Sequence, residues 1–273
     1  METKFVYKVL LANDDGIDSP GLISLAKALV NSKQPRFDVK IVAPSTQQTA
    51  TGKSVSFNKP VRAFQKQAVD GLMGLAVEGT PADALIIGVK EHPDIDFVVS
   101  GINAGENTSI HSLLTSGTLA VCLEASLGYG LKGWAFSLDM DSRYFFRTTE
   151  EQETEEYGIA AKKSVEMMVK MLSNGGFPDK VSFISVNFPA NLVESTPARI
   201  AKPSFNKYEN YPIVKKDPRG IPYSWLWGDL LDPVPDTDTW YVKNGFIAVT
   251  PYQLQKLREI DENTLNKVNR QLQ

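Results

Sequence analysis

The sequence predicts an α/β fold in which helices cover a mainly parallel β-sheet. In the first half of the chain, short apolar runs alternate with stretches whose apolar residues recur at helical spacing. Residues 97–100 are almost entirely apolar, as is typical of a strand buried on both faces of a parallel sheet. Alternating strands and helices indicate layered α/β domains, in which right-handed crossovers bring successive strand ends to one edge.

The predicted elements of the core follow in order along the chain. Residues 5–12 form the first apolar strand, and a helix with one apolar face begins at Pro20. Pro44 ends the second strand, and Pro81 takes the first turn of a helix, where its missing N–H is not needed. Residues 54–67 have β character and could form an excursion from the main sheet. The predicted strands are residues 5–12, 38–43, 97–100, 134–137 and 181–186, and the predicted helices are residues 20–31, 82–90, 118–128 and 150–172.

The last quarter of the chain is less regular. Residues 198–250 are rich in Pro, Tyr and Trp, and we interpret them as a β-rich arm rather than a second domain. Residues 251–273 predict a final amphipathic helix, and a partner subunit is one surface on which its apolar stripe would pack. The stripe consists of Leu254, Leu257, Ile260, Leu265 and Val268. We therefore expect a single domain over residues 1–273, with an α/β core at residues 1–197.

Composition and charge exclude several classes of protein. The net charge of -3 and the pI near 5.6 provide no basic surface for a nucleic-acid polymer. The single cysteine, Cys122, excludes an intrachain disulfide or a multi-cysteine metal site, and its apolar surroundings predict a buried, inert thiol. We find no leader sequence and no apolar run near the roughly 18 residues that span a bilayer, so we expect a cytoplasmic protein without a membrane segment.

The most informative motif is Asn-Asp-Asp-Gly at residues 13–16, where the first strand ends. Two adjacent carboxylates at the end of a buried strand repel each other, and desolvation adds to the cost unless a cation compensates them. Mg²⁺ typically binds one or two carboxylates, and open parallel sheets bind ligands beyond the carboxyl ends of their strands. Taken alone, the motif also fits an ordinary polar turn. Asp14 and Asp15 are therefore a candidate metal site.

Three further loops follow strands or strand-like runs. Residues 43–54 are rich in hydroxyls and amides and end in Gly-Lys-Ser, but position 47 is Gln, so the P-loop motif of nucleotide triphosphatases is absent. Residues 98–107 contain glycines and asparagines, which let a ligand approach the backbone and offer amide groups to a metal or a phosphate. Residues 115–118 precede a helix whose N-terminal amides could meet an anion. A solvated loop, turn chemistry and a plain N-cap explain these three loops equally well when each is taken alone.

In combination, these motifs resemble the SurE family of metal-dependent phosphatases that act on nucleoside monophosphates. The longest matching segments are residues 9–21, Val-Leu-Leu-Ala-Asn-Asp-Asp-Gly-Ile-Asp-Ser-Pro-Gly, and residues 98–105, Val-Val-Ser-Gly-Ile-Asn-Ala-Gly. Shorter segments that resemble the family are residues 42–44, 79–83, 116–118, 217–220 and 249–251. The resemblance covers most of the chain and implies a Rossmann-like three-layer domain. It also implies that a β-rich extension and a C-terminal helix are exchanged between the subunits of a homodimer or a higher homo-oligomer.

The resemblance assigns the metal ligands as two acids, a hydroxyl residue of the second loop and an asparagine. In this sequence they are Asp14, Asp15, Thr49 and Asn103. Thr49 departs from the family pattern because Ala50 follows it where a glycine is usual, and Thr51 and Ser54 are the alternative hydroxyls. The loop between residues 107 and 116 is also slightly longer than the family pattern.

The chemistry of these residues agrees with that assignment. Two carboxylates, a hydroxyl and an amide oxygen form an oxygen-only site that suits one Mg²⁺ or Mn²⁺ ion better than Zn²⁺. At such a site a phosphoryl oxygen is held by the metal and a water is positioned for in-line attack. We choose Asp14 as the acid that accepts the proton of this water. The residues expected to bind the remaining phosphate oxygens are Asn107, Ser116, Gly117 and Thr118.

We therefore predict a hydrolase that converts nucleoside 5'- and 3'-monophosphates to nucleoside and phosphate. The alternative is a nucleotide-binding or regulatory protein that keeps the fold without catalysis. A phosphohistidine mechanism would have only His92 and His111 available, and His111 is either an exposed loop residue or an acid for the leaving group. A dehydrogenase is disfavoured because the first turn lacks G-x-G-x-x-G and carries acids where a pyrophosphate would lie.

Overall fold

The structure, a computed structural model, describes residues 6–69, 71–140 and 155–272. Its strands are β1 (Val6–Ala12), β2 (Arg36–Pro44), β3 (Ala63–Val69), β4 (Leu72–Val77), β5 (Phe97–Ala104), β6 (Lys132–Leu138), β7 (Phe183–Phe188), β8 (Ala198–Ile200), β9 (Tyr208–Lys216), β10 (Pro222–Leu230) and β11 (Ile247–Tyr252). Its helices are α1 (Pro20–Val30), α2 (Pro81–Glu91), α3 (Ser109–Thr115), α4 (Gly117–Tyr129), α5 (Glu155–Ser173), α6 (Asp238–Lys243) and α7 (Glu262–Leu272).

Within the described ranges, nine strands form one sheet in the order β3-β4-β2-β1-β5-β6-β7-β11-β8. The strands from β4 through β7 are parallel to one another. At the edges, β3 is antiparallel to β4, β11 is antiparallel to β7, and β8 runs parallel to β11. Because parallel strands end at the same edge of a sheet, the segments that follow β1, β2, β4 and β5 meet at one place.

Helices pack on both faces of this sheet, so the predicted α/β fold is confirmed. On β1, Val9 and Leu11 lie in the core that includes α1 and α5, whereas Leu10 and Ala12 lie in the core that includes α2 and α4. Successive side chains of a strand point to opposite faces, which is why an unbroken apolar run suits this central position. Cys122 lies in the second core, and burial raises the pKa of its thiol, as expected for an inert cysteine.

Two elements of the core are not predicted by the sequence patterns. β4 interrupts its apolar pattern at Gly74, where an added Cβ would lie 3.0 Å from the side chain of Ile41 on β2. α3 has only seven residues, too few for helical periodicity to show, and it occupies the segment that was expected to be a loop around His111. The excursion expected at residues 54–67 is a strand only from Ala63 onward.

The C-terminal part also differs from the expectation. Pro251 belongs to β11 and pairs with Ile184 of β7, so the helix predicted for residues 251–273 begins only at Glu262, after a 3₁₀ turn at Leu254–Arg258. Of residues 198–250, only the β9–β10 hairpin forms a sheet of its own, because β8 and β11 join the main sheet. The predicted start of the helix at residues 150–154, the first residue of the predicted strand, Phe5, and the last residue, Gln273, lie outside the described residues.

No single helix within the described ranges has the length and apolar composition needed to cross a membrane; the bent pair α3 and α4, with a 76° bend, is the one combination that meets those criteria together.

Candidate active site

The turn that follows β1 is closed by the side chain of Asn13. Its amide nitrogen Nδ2 donates to the carbonyl oxygen of Gly16 over 3.0 Å and to Oγ of Ser19 over 2.6 Å, and its Oδ1 accepts from the N–H of Gly16 over 3.2 Å. Gly16 has a φ of 100°, a conformation that glycine adopts without steric cost. This local network fixes the direction in which the next two side chains, Asp14 and Asp15, leave the end of the strand.

Asp14 lies against the N-terminus of α4. The hydroxyl of Thr118 donates to Oδ1 of Asp14, and the same hydroxyl oxygen lies 3.1 Å from Oδ1 of Asn103. A Cβ added to Gly117 would lie 2.5 Å from the Cβ of Asp14, so only glycine fits at this position beside the acid. The structure thus brings Asp14, Asn103, Gly117 and Thr118 into one cluster.

Asp15 is held by the ends of two neighbouring loops. Its Oδ2 accepts from the backbone N–H of Ala104 over 3.2 Å, and its Oδ1 accepts from Nε2 of Gln47 over 3.4 Å. Ala104 is the last residue of β5 and directly follows Asn103, which explains why the ends of β1 and β5 act together. The sequence patterns give no signal for Ala104, because a backbone donor leaves no trace in residue type.

The two carboxylates lie in an environment that disfavours their charge. Burial raises the pKa of Asp14 to about 6, although hydrogen bonds from Thr118 and from nearby backbone N–H groups oppose this shift. Burial and the charge of Asp14 raise the pKa of Asp15 to about 7. Among the described residues, neither acid forms an ion pair with a lysine, arginine or histidine. Two such carboxylates with an amide oxygen nearby form a donor set that suits a hard divalent cation.

Asn103 presents its side-chain oxygen to this cluster because its nitrogen is used elsewhere. Nδ2 of Asn103 donates to the carbonyl oxygens of Gly105, over 2.7 Å, and of Ala104, over 3.2 Å. An amide with its nitrogen committed to backbone acceptors leaves Oδ1 as the group available to Thr118 or to a metal. No cluster of three or more His, Cys, Asp or Glu side chains suited to a metal occurs among the described residues, so a metal here would depend on hydroxyl and amide oxygens as well.

The loop after β2 folds against the acidic turn. The N–H of Gln48 donates to the carbonyl oxygen of Asp14 over 2.7 Å, and Thr49 is the next residue. The hydroxyl of Thr51 donates to the carbonyl oxygen of Gln48 over 2.8 Å, whereas the exposed side chain of Thr49 makes no hydrogen bond to any other described residue. Thr49 therefore lies nearer along the chain to the contact with Asp14 than Thr51 or Ser54 does. Unlike that of Thr51, its hydroxyl does not donate to a described backbone oxygen.

The residues expected to bind phosphate lie in two places. The Oγ of Ser116 caps α4 by accepting from the N–H of Leu119 over 3.2 Å, which leaves its hydroxyl hydrogen to donate. Asn107 is tied to the next strands, because its N–H donates to Oδ1 of Asn187 over 2.7 Å and its Nδ2 donates to Oγ of Ser137 over 3.0 Å. The structure places Thr118 between two expected metal ligands, a role that the sequence patterns do not indicate.

A pocket of about 310 Å³ opens on the same edge of the sheet, beyond the loop after β2. Gln48 lines it from the loop that contacts Asp14, and Ser56, Lys59, Glu78 and Thr80 line its other sides. These side chains offer both donors and acceptors. The volume lies at the lower end of the range for sites that bind small molecules.

The chain is similar to known proteins over most of its length. A family model described as "Survival protein SurE" matches residues 9–210. A protein of Hyperthermus butylicus named 5'-nucleotidase SurE is 36% identical over 249 residues, covering 90% of this chain and 85% of that protein. One of Methanoregula boonei with the same name is 39% identical over 265 residues, covering 94% of this chain and 96% of that protein. The crystal structure of SurE protein from Aquifex aeolicus superposes with a TM-score of 0.71 at 27% identity, over 97% of this chain and 99% of that one.

Proposed function

The chain belongs to the SurE family, and from that premise we propose that it hydrolyses nucleoside 5'- and 3'-monophosphates to nucleoside and phosphate with a divalent metal ion. The observation that carries the proposal is the pair Asp14 and Asp15. Asp14 is buried and Asp15 is half-buried beside the end of β5 that carries Asn103, and no described cationic side chain pairs with either acid. A site of this kind is stable when a cation compensates the charge.

The residues that would hold the ion are Asp14, Asp15, Asn103 and Thr49. Their oxygen atoms favour one Mg²⁺ or Mn²⁺ ion over the softer metals that prefer cysteine and histidine. Thr118 supports this arrangement because its hydroxyl contacts Asp14 and lies beside the side-chain oxygen of Asn103. These two contacts set the spacing between the proposed ligands Asp14 and Asn103. When bound, the ion supplies neutralisation of the charge that develops on the phosphoryl group.

The protein's own residues have separate tasks in the reaction. As the oxygen of a water molecule bonds to phosphorus and the bond to the nucleoside oxygen breaks, Asp14 accepts a proton of that water, and the departing nucleoside oxygen takes up a proton from solvent. The hydroxyl of Ser116 and the amide of Asn107 hold phosphate oxygens, because each keeps a hydrogen free of described partners. The backbone at Gly117 and Thr118 places the positive end of α4 beside the reacting group.

We assign the nucleoside to the pocket lined by Gln48, Lys59 and Glu78. Its mixture of donors and acceptors matches the hydroxyls of ribose and the heteroatoms of a base. The pocket adjoins the acidic turn, because Gln48, which lines the pocket, donates its N–H to the carbonyl oxygen of Asp14 over 2.7 Å.

A substrate panel tests this function. Chelated protein, with and without added Mg²⁺ or Mn²⁺, is assayed for phosphate release from nucleoside 5'- and 3'-monophosphates and from p-nitrophenyl phosphate. We expect metal-dependent release, with a lower KM for the nucleotides than for the nitrophenyl ester because the latter has no nucleoside to fill the pocket. Folded protein that releases no phosphate from any of these compounds would contradict the proposal. Binding of a nucleotide without turnover would identify a nucleotide-binding protein instead.

We further propose that two copies of the chain associate through the β9–β10 hairpin and α7. The hairpin exposes apolar side chains on both faces, with Trp225 at 64% and Leu226 at 86% exposure. A two-stranded hairpin alone is at best marginally stable in water, so a covering surface is expected. On α7, Leu265 and Val268 are also about half exposed.

We also place the protein in the cytoplasm, where nucleoside monophosphates are produced and consumed. Detection of the protein in fractionated cells tests this location, and recovery outside the cytoplasmic fraction would contradict it.

A further inference from the structure

A buried lysine joins the root of the β9–β10 hairpin to the loop that follows β5. The side chain of Lys207 is 4% exposed and that of Glu106 is 18% exposed. Nζ of Lys207 donates to Oε1 of Glu106 over 2.8 Å and to the carbonyl oxygen of Glu106 over 3.0 Å. One ammonium group thus holds both the side chain and the backbone of the residue that precedes Asn107.

The loop is fastened to the sheet on its other side. The N–H of Gly105 donates to the carbonyl oxygen of Leu138 over 2.8 Å, and Asn107 donates to Asn187 of β7 and to Ser137 of β6. Among the described residues, Lys207 is the side chain that holds Glu106 from outside the sheet, whereas Thr239 and Asp238 hold the following residues, Thr108 and Ser109. Without Lys207, Glu106 loses both of these bonds to the root of the hairpin.

The position of Lys207 depends in turn on the hairpin. Its carbonyl oxygen accepts from the N–H of Leu231, a bond of 2.9 Å that closes the base of the hairpin just before β9 and just after β10. Its Nζ also lies 4.8 Å from the centre of the Tyr208 ring, the first residue of β9. A displacement of the hairpin root would move Lys207 and, through Glu106, the loop.

The electrostatics favour a lysine that stays charged at this buried place. Burial is the largest single influence and lowers the pKa of Lys207, but the carboxylate of Glu106 and the side chain of Tyr208 together outweigh it, so the pKa is raised above its usual value. A buried ion pair that also satisfies a backbone carbonyl is costly to break, because removing one partner leaves the other charge unpaired.

We propose that Lys207 is a positioning residue that holds the loop at residues 105–107 from the root of the hairpin. Through this contact, the position of the hairpin affects phosphate binding by Asn107. The coupling rests on the proposed function. It goes beyond that function by linking the surface expected to meet a second copy of the chain to the substrate site.

The test compares variants that differ in the ammonium group. Lys207→Met removes it, and the double variant Glu106→Gln/Lys207→Met removes it without leaving a buried carboxylate unpaired, so that a folded protein is available for measurement. Glu106→Gln alone keeps both oxygen acceptors for Lys207 but leaves the ammonium group without its counter-charge, so we expect it to lower stability while the two hydrogen bonds still hold the loop. Lys202→Met is the matched control, because Lys202 is an exposed lysine of the same segment. The readouts are kcat and KM for AMP, the Kd of inorganic phosphate with Mg²⁺ by calorimetry, and hydrogen exchange of residues 103–110 in metal-free protein.

In both variants without the ammonium group, we expect KM and the phosphate Kd to rise about tenfold, the loss typical of one hydrogen bond to a charged group, while kcat changes less than about threefold. Exchange in residues 103–110 should also become faster. Glu106→Gln and Lys202→Met should stay within about threefold of wild type in KM and Kd.

The inference would be overturned if the double variant Glu106→Gln/Lys207→Met were active and its KM, phosphate Kd and hydrogen exchange equalled those of wild type. A lower melting temperature alone would not rescue the inference. A wild-type protein that hydrolyses no nucleotide would instead contradict the proposed function, so the two failures are distinct.

Discussion

At the scale of single residues, the proposed site depends on two adjacent carboxylates whose charge is disfavoured by burial. Asp14 and Asp15 are adjacent in the chain, so their repulsion follows from the sequence alone. Their burial, and the contacts with Thr118 and Ala104, follow from the meeting of β1, β5 and α4. For this reason the acidic pair is predictable from the sequence. The contact of Thr118 with both Asp14 and Asn103 is not predictable from it.

Asp139 offers a prediction on the pH dependence of stability. Burial and the nearby charge of Glu106 raise its pKa from 3.8 to about 6. The folded protein therefore disfavours the ionised form of Asp139. Its ionisation lowers the free energy of unfolding as the pH rises from 4 to 6, has no effect below pH 4 and has a constant effect above pH 6. The shift corresponds to about 3 kcal/mol, which screening by solvent reduces to about 1 kcal/mol for this partly exposed group.

The variant Asp139→Asn should accordingly be more stable than wild type at pH 7.5 by about 1 kcal/mol and equal to it near pH 4. Thermal unfolding of both proteins across this pH range measures the difference. A difference that does not change with pH would mean that the charge of Asp139 carries no such cost.

At the scale of secondary-structure elements, β1 and its neighbours could be predicted because a strand buried on both faces shows in a continuous apolar run. α3 and β4 could not, because one is a single short helix and the other contains a glycine that permits close packing on β2. The boundary of the last helix was also wrong, since Pro251 is tolerated in β11. Strand pairing places β4 and Pro251, and the contacts of α3 with distant segments place that helix, so none of these shows in a local pattern.

Two glycines in helices provide a matched pair of variants. Gly117→Ala places a Cβ 2.5 Å from the Cβ of Asp14, so Asp14 must move. A displacement of this size in a catalytic group typically lowers the rate about 100-fold, and overpacking costs about 1–3 kcal/mol of stability. Gly158→Ala, on α5, meets nothing within 4 Å and should stabilise the helix by about 0.5–1 kcal/mol without changing the activity.

Assays of kcat for AMP and chemical denaturation of the two variants measure these effects. Full activity in Gly117→Ala would show that the packing of Asp14 against α4 is not required for catalysis.

At the scale of the whole molecule, contacts between distant parts of the chain are the features that sequence patterns could not predict. Lys207 and Glu106 are separated by 101 positions, and neither belongs to a periodic pattern. The hairpin is different, since the abundance of Pro, Tyr and Trp in residues 198–250 already indicated a β-rich arm.

If the hairpin binds a second copy of the chain, replacing Trp225 and Trp227 by serine should shift the protein toward the monomer. These side chains are 64% and 58% exposed on the same face of β10 and would lose their burial in the dimer. Sedimentation velocity at several concentrations measures the shift. Leu127→Ser, at an exposed leucine on α4, is the control and should leave the distribution unchanged. An unaltered distribution in the tryptophan variant would exclude this face as the interface.

The central claim is that Asp14 and Asp15 hold the divalent metal ion on which hydrolysis depends, and a calorimetric titration with Mn²⁺ tests it most directly. Wild type and Asp94→Asn, which changes an exposed acid paired with Lys8, should bind a single ion per chain with the same affinity. Asp14→Asn, which leaves one carboxylate, should bind at least about tenfold more weakly and release no phosphate from AMP while remaining folded. Equal Mn²⁺ affinity in Asp14→Asn and wild type, or no binding by wild type, would contradict the account.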